Sequence, residues 1–235
     1  MDFDRMLRYC SQLELHNDRT WFHAPENYAL YTAAKQDFID LVEELKYRIA
    51  ELASPDLAEK LVFANAKTLL YRIPRDMRGK RDVPPFNPRF SADLSGDRHS
   101  MLPVGYYVHI QPGDRSLFGT GAWCRDAEML LNVRSYISEN FDRFSDAMEH
   151  SGYPLFGDRL KNVPRGFDPG DPAGEYLKYK DWLVTRAFRD AELRDFDRFI
   201  ADAVEAAERM EPLRRFFNDA LSQKKRCPWD VGDWE

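Results

Sequence analysis

The sequence predicts a single α+β domain, a mostly antiparallel sheet of about four or five strands packed with long helices. Two long apolar stripes at helical spacing stand near the two ends of the chain. Between them lie short runs rich in Val, Ile, Tyr and Trp, separated by turn residues. Helices and strands do not alternate regularly, which argues against a doubly wound parallel sheet.

The elements follow in order. Phe3, Met6, Leu7, Cys10 and Leu13 repeat at helical spacing, so an amphipathic helix opens the sequence. Asn17 and Asp18 offer caps for a brief turn holding Trp21 and Phe22. Tyr31, Ala34, Phe38, Leu41, Val42, Leu45, Ile49 and Leu52 form one stripe, a helix from about Pro25 to the Ser54-Pro55 break. Phe63 through Ile73 reads as a strand of imperfect alternation. Val104 to Ile110 reads as a clearer one, and Leu117 to Trp123 returns from the Pro112-Gly113-Asp114 turn as a hairpin. The stretch from Pro74 to Pro103 between the first two strands is a long connection, of the kind that is usually functional or mobile. Asp126 caps a helix with Leu130, Val133 and Ile137 on one face. Phe141, Phe144 and Met148 continue it past a break near Asn140, and Gly152-Tyr153-Pro154 ends it. Residues 155–174 are loop-like, Trp182 to Phe188 is a further strand, and Leu193 to Ala207 begins a last long helix, with Pro212 starting a further short one. The domain spans residues 1–222, with a polar C-terminal tail at 223–235.

Composition narrows the class. The 235 residues are 43% hydrophobic and include sixteen Phe and eleven Tyr, enough large rings to offset the entropy of ordering one core. A net charge of -6 disfavours a nucleic-acid coat. Cys10, Cys124 and Cys227 are far apart and odd in number, giving neither a disulfide framework nor a zinc ribbon; reduced thiols in a cytoplasmic protein are expected. Met1 to Arg8 carries acids and lacks the apolar centre of a signal peptide. No apolar run approaches the ~20 residues that span a bilayer.

The densest charge lies between Lys67 and Arg89, with seven basic residues and two acids, leaving the rest of the chain at -11. Arginine forks suit carboxylate and phosphate, so Arg72, Arg75, Arg78 and Lys80 are candidates for an anion pocket at a strand end. The alternative pairs Arg72 and Arg75 with Asp76 and Asp82 and leaves Lys80 and Arg81 as a solvated loop face. A second candidate is the hairpin, where alternation puts Tyr107 and His109 on one face near Gly119, Gly121 and Trp123. His109 suits acid–base work near neutral pH or a purely structural hydrogen bond. Lys161 and Arg165 extend the basic region if their loop folds over it; otherwise they belong to a rigid surface turn. There is no phosphate-binding glycine loop, no nucleophile elbow and no histidine pair at zinc spacing, so neither cofactor nor metal is expected.

Several segments together resemble the domain of unknown function 2461 family of bacteria and fungi. They are Asn17 to Phe22 with Tyr28, Arg72 to Arg78, Asp82 and Pro85, Gly105 to Ile110, Gly119 to Trp123, Arg134, Lys161 with Pro164 to Phe167, and Glu175 to Lys178. The resemblance covers nearly the whole chain and implies one α+β domain with no established activity. It departs at the basic loop. Gly79 stands where the family has Phe, Val83 and Asn87 where it has Lys, and Phe86 where it has Tyr.

Three functions compete. The first is a binding module for a small anionic ligand held by Arg72, Arg75 and Arg78, walled by Tyr107, His109 and Trp123. The second is an enzyme on a phosphorylated or nucleotide substrate, with His109 or Asp76 as acid or base. The third is a nucleic-acid or protein interaction module; nucleic acid is disfavoured by the acidic remainder and the lack of interleaved aromatics.

Overall fold

Residues 1–79, 82–97 and 102–223 are described by the computed structural model. Nine α-helices are present among them: α1 (Phe3–Leu15), α2 (Arg19–His23), α3 (Pro25–Leu52), α4 (Pro55–Phe63), α5 (Ala66–Leu69), α6 (Ala127–Glu139), α7 (Phe141–Ser151), α8 (Gly174–Leu177) and α9 (Phe196–Leu221). The five strands are β1 (Phe90–Leu94), β2 (Tyr106–Ile110), β3 (Ser116–Trp123), β4 (Leu155–Phe156) and β5 (Asp181–Phe188). All pair antiparallel in the order β1-β2-β3-β5-β4, as one α+β domain.

Local chemistry sets the helix ends. The Asp2, Asp18, Asp126 and Asp195 carboxylates accept backbone N–H bonds at the starts of α1, α2, α6 and α9. Pro25 and Pro55 open α3 and α4, where a missing N–H costs nothing. Asn140 breaks α6 from α7, and Gly152 closes α7 in the left-handed conformation. Asp18, not Asn17, caps α2. Asn17 is used elsewhere: its carboxamide accepts from the Phe86 N–H and donates to the Phe86 carbonyl, both at 3.0 Å.

Alternation splits the sheet into two faces. Phe90, Ala92, Leu94, Tyr106, Val108, Ile110, Phe118, Trp182, Val184 and Phe188 are buried on the face that meets α3 and α9. Asp93, Tyr107, Gly119 and Thr185 fall in one register row on the other face. The β2–β3 hairpin turns through Gly113 and Asp114, both at positive φ, and the Asp190 carboxylate accepts from both of their N–H groups.

The structure corrects three expectations. Phe63 to Ile73 is not a strand. Phe63 ends α4, Asn65 caps the single turn of α5, and Ala66 and Leu69 bury at helical spacing; Leu70 then forms an isolated bridge to Ala92. The long connection after Pro74 contains β1, an edge strand whose 90, 92, 94 alternation lies amid proline and charge. Pro212 does not start a new helix. It sits inside α9, because Met210, Leu213, Phe216 and Phe217 continue one fully buried stripe across it. That packing outweighs the roughly 3 kcal/mol an interior proline costs. The tail from residue 224 onward lies outside the described residues.

Candidate functional site

Two cavities take up four of the sequence candidates, Tyr107, His109 and Trp123 in one and Arg75 in the other. The larger, about 330 Å³, opens on the sheet face that carries Tyr107, with Leu221 at the end of α9 also in its lining. Its base is the row of Asp93, Tyr107, Gly119 and Thr185. Tyr71, Tyr107 and Trp123 supply aromatic walls, and Arg89 and Arg125 supply the cations. The lining is mostly apolar, as in small-molecule sites of this size.

β3 leaves that base bare for a backbone reason. A Cβ on Gly119 would stand 2.3 Å from the Val184 carbonyl oxygen, and one on Gly121 2.0 Å from that of Trp182. Close approach of β5 therefore demands the glycines, and the space above them follows.

Hydrogen bonds fix the polar groups. The His109 Nε2–H donates to the Arg115 carbonyl at 2.6 Å, which leaves Nδ1, 3.2 Å away, to accept from the Tyr107 hydroxyl. Burial, reinforced by the Arg89 and Arg115 charges, pushes the imidazole down to about 4, so it is neutral at neutral pH. His109 orients Tyr107 and has no ring nitrogen left to take a proton from a ligand. Tyr71 donates its hydroxyl to Asp93 at 3.3 Å, and the Tyr71 and Tyr107 rings are 6.1 Å apart. Burial raises the Asp93 carboxyl above the usual aspartate range, opposed by Ser95, Tyr71 and the Arg125 charge. Burial, then the Asp93 charge, pushes the Tyr71 phenol up to about 12. This acid at the base of a cavity can hold or pass a proton.

The second cavity, about 140 Å³, lies under the basic loop and is lined by Arg19, Phe22, His23, Pro74, Arg75, Met77, Pro85 and Phe86. The loop is closed like a hairpin: the Arg75 N–H donates to the Pro85 carbonyl and the Asn87 N–H to the Ile73 carbonyl. Arg75 Nε donates to the Asn87 carboxamide at 2.6 Å.

The candidate residues thus separate. Tyr107, His109 and Trp123 line the larger cavity, Trp123 at its rim with 68% of its surface exposed. Arg75 lines the smaller one. Arg72 is exposed and lines neither. Arg78 is 91% exposed and paired with Asp76, whose Oδ2 accepts from Nη2 at 2.5 Å. Lys161 and Arg165 are exposed and line neither cavity. Lys80 lies outside the described residues. Sequence reasoning missed Asp93, Tyr71, Arg89 and Arg125 as site residues. The signal for Asp93 was the alternation from Phe90 to Leu94, which puts it on the face opposite Ala92; the register with β2 then sets it beside Tyr107.

Burial raises both described thiols, Cys124 to about 12, so neither is a ready nucleophile. Among the described residues no three His, Cys, Asp or Glu side chains gather as a metal site, and no helix is long and apolar enough to cross a membrane.

No curated protein and no solved structure matches the chain significantly. A family profile described as "Conserved hypothetical protein (DUF2461)" matches residues 5–216. With nearly all of its folded length inside that match, the chain belongs to the DUF2461 family of conserved hypothetical proteins.

Proposed function

We propose that the protein binds a small organic anion in the larger cavity. The ligand's planar body lies among Tyr71, Tyr107 and Trp123, and its carboxylate or phosphate meets Arg89 and Arg125. One observation carries this reading: a mostly apolar cavity of about 330 Å³ with aromatic walls has two arginines in its lining. The arginine loop first favoured on charge enters through its neighbourhood, since Tyr71 precedes it and Arg89 follows it.

The test is a thermal-shift and Trp-fluorescence screen of nucleoside monophosphates and aryl carboxylates. A ligand at 100 times its dissociation constant adds about 2.7 kcal/mol of stability, a readily visible rise in melting temperature. Arg125 is exposed, so Arg125→Ala is expected to leave the unliganded protein unchanged and to abolish the shift. The reading fails if no compound shifts the wild type, or if the variant responds equally.

Asp93 favours a second reading, an enzyme on the same ligand. A carboxyl that keeps its proton to higher pH than usual suits general acid catalysis. Asp93→Asn would then bind a compound found in the screen and lose turnover by roughly a hundredfold or more. Loss of binding with no turnover by the wild type would leave Asp93 as a ligand-holding group.

A further inference from the structure

We infer that the smaller cavity is a separate binding site for a tetrahedral oxyanion, either free phosphate or the phosphate of a compact monoester, held by Arg19, His23 and Arg75. The three side chains come from two chain segments more than fifty positions apart, yet they line one cavity with no carboxylate among the described residues of its lining. Like charges brought together repel, and among the described residues of the cavity wall no acid offsets the two guanidinium groups. An arriving anion supplies that charge, and guanidinium forks with an imidazole give donors from several directions, which suits four tetrahedral oxygens better than a flat carboxylate.

The walls are built rather than adventitious. The Asn17 carboxamide clamps both backbone groups of Phe86 at 3.0 Å, joining the α1–α2 turn to the basic loop. The Phe22 and Phe86 rings stack at 4.2 Å, and His23 packs edge-on against Phe22 at 5.2 Å. Asn87 occupies Arg75 Nε, which fixes the plane of that guanidinium and leaves its Nη groups for a ligand. Asp76, the nearest acid along the loop, accepts three side-chain hydrogen bonds from Arg78 and lines neither cavity. The volume, about 140 Å³, admits a phosphate with a water or a short substituent; it is less than half the ~300 Å³ at which drug-sized sites begin. A nucleotide belongs in the other cavity, which shares no lining residue with this one.

Calorimetric titration of the full chain with inorganic phosphate tests the site, with phenyl phosphate as the second arm and chloride as the ionic-strength control. Saturable phosphate binding is expected below about 10 mM. Arg75→Gln and Arg19→Gln should each weaken it roughly tenfold, the loss typical of a charge-assisted bond. Arg19 is exposed, so its variant keeps the test valid if Arg75→Gln disturbs the loop. Arg125→Ala should leave phosphate binding unchanged, which separates this result from the fate of the larger cavity. Inorganic phosphate binding at least as tightly as phenyl phosphate marks a free-anion site; the reverse order marks a monoester subsite. No saturable binding, or binding indifferent to both arginine changes, overturns the inference.

Discussion

His109 shows how one side chain can look catalytic in sequence and act through its neighbours in the fold. Both ring nitrogens are in hydrogen bonds, one to a backbone carbonyl and one to Tyr107, and 8% of the residue is exposed. The folded protein holds the imidazole neutral down to about pH 4, while in the unfolded chain it takes a proton near 6.5. Between those values the unfolded state binds more protons, so stability falls as pH drops through that window and is fully present above it. The shift corresponds to about 3 kcal/mol as an upper figure. Urea titrations from pH 7 to pH 4 should therefore show a decline that His109→Gln, which keeps an amide donor for the Arg115 carbonyl, largely removes. An equal acid slope in the variant would move the cause to other groups. Asp93 has the opposite sign: its raised carboxyl pKa makes the folded state hold its proton more tightly, so its contribution becomes less favourable as pH rises through the usual aspartate range.

At the scale of elements, what was legible in the sequence tracks how much local chemistry each element carries. α1, α3, α6, the α6–α7 break and the β2–β3 hairpin were legible because caps, proline, glycine and an unbroken period all agree on them. β1 was not, because a strand of five residues whose outer side is met only by the Leu70 bridge has a short alternation. Its loss hid Asp93, whose place in the site depends on a register that no local pattern sets. The segment from Phe63 to Ile73 failed for the converse reason: its apolar residues serve a helix end, a capped turn and a single bridge in succession, and their sum mimics a ragged strand. Pro212 misled because local propensity predicts a break, and four buried large side chains around it keep the helix whole. The arginine cluster was visible, but how its members separate was not. That depends on Asn17 and Asn87, which pin the loop through contacts distant in sequence or specific to one side chain.

The molecule as a whole is joined across its two layers by one buried ionic group. Arg214 is fully buried. Its guanidinium donates to both oxygens of Glu211, at 2.6 and 2.9 Å, to the Val104 carbonyl at 2.5 Å, and to the Ser54 hydroxyl. Glu211 in turn accepts from the Tyr106 hydroxyl at 2.7 Å. α9, the α3–α4 junction and the entry to β2 are thus tied at one point, and Val104 and Gly105 at that entry line the larger cavity. Removing one member of a buried pair leaves its partner charged and desolvated, at a cost of about 3–5 kcal/mol, a large share of the 5–15 kcal/mol a typical domain has. Arg214→Met should therefore lower stability by about that amount. Unfolding should remain a single transition by both circular dichroism and Trp fluorescence, because one apolar cluster joins helices and sheet. Adding Glu211→Gln to Arg214→Met should recover part of the loss, since the stranded carboxylate is then gone. A cost below about 1 kcal/mol for the single change, within the range of a surface pair, would mean that the hydrophobic contacts alone bind the two layers.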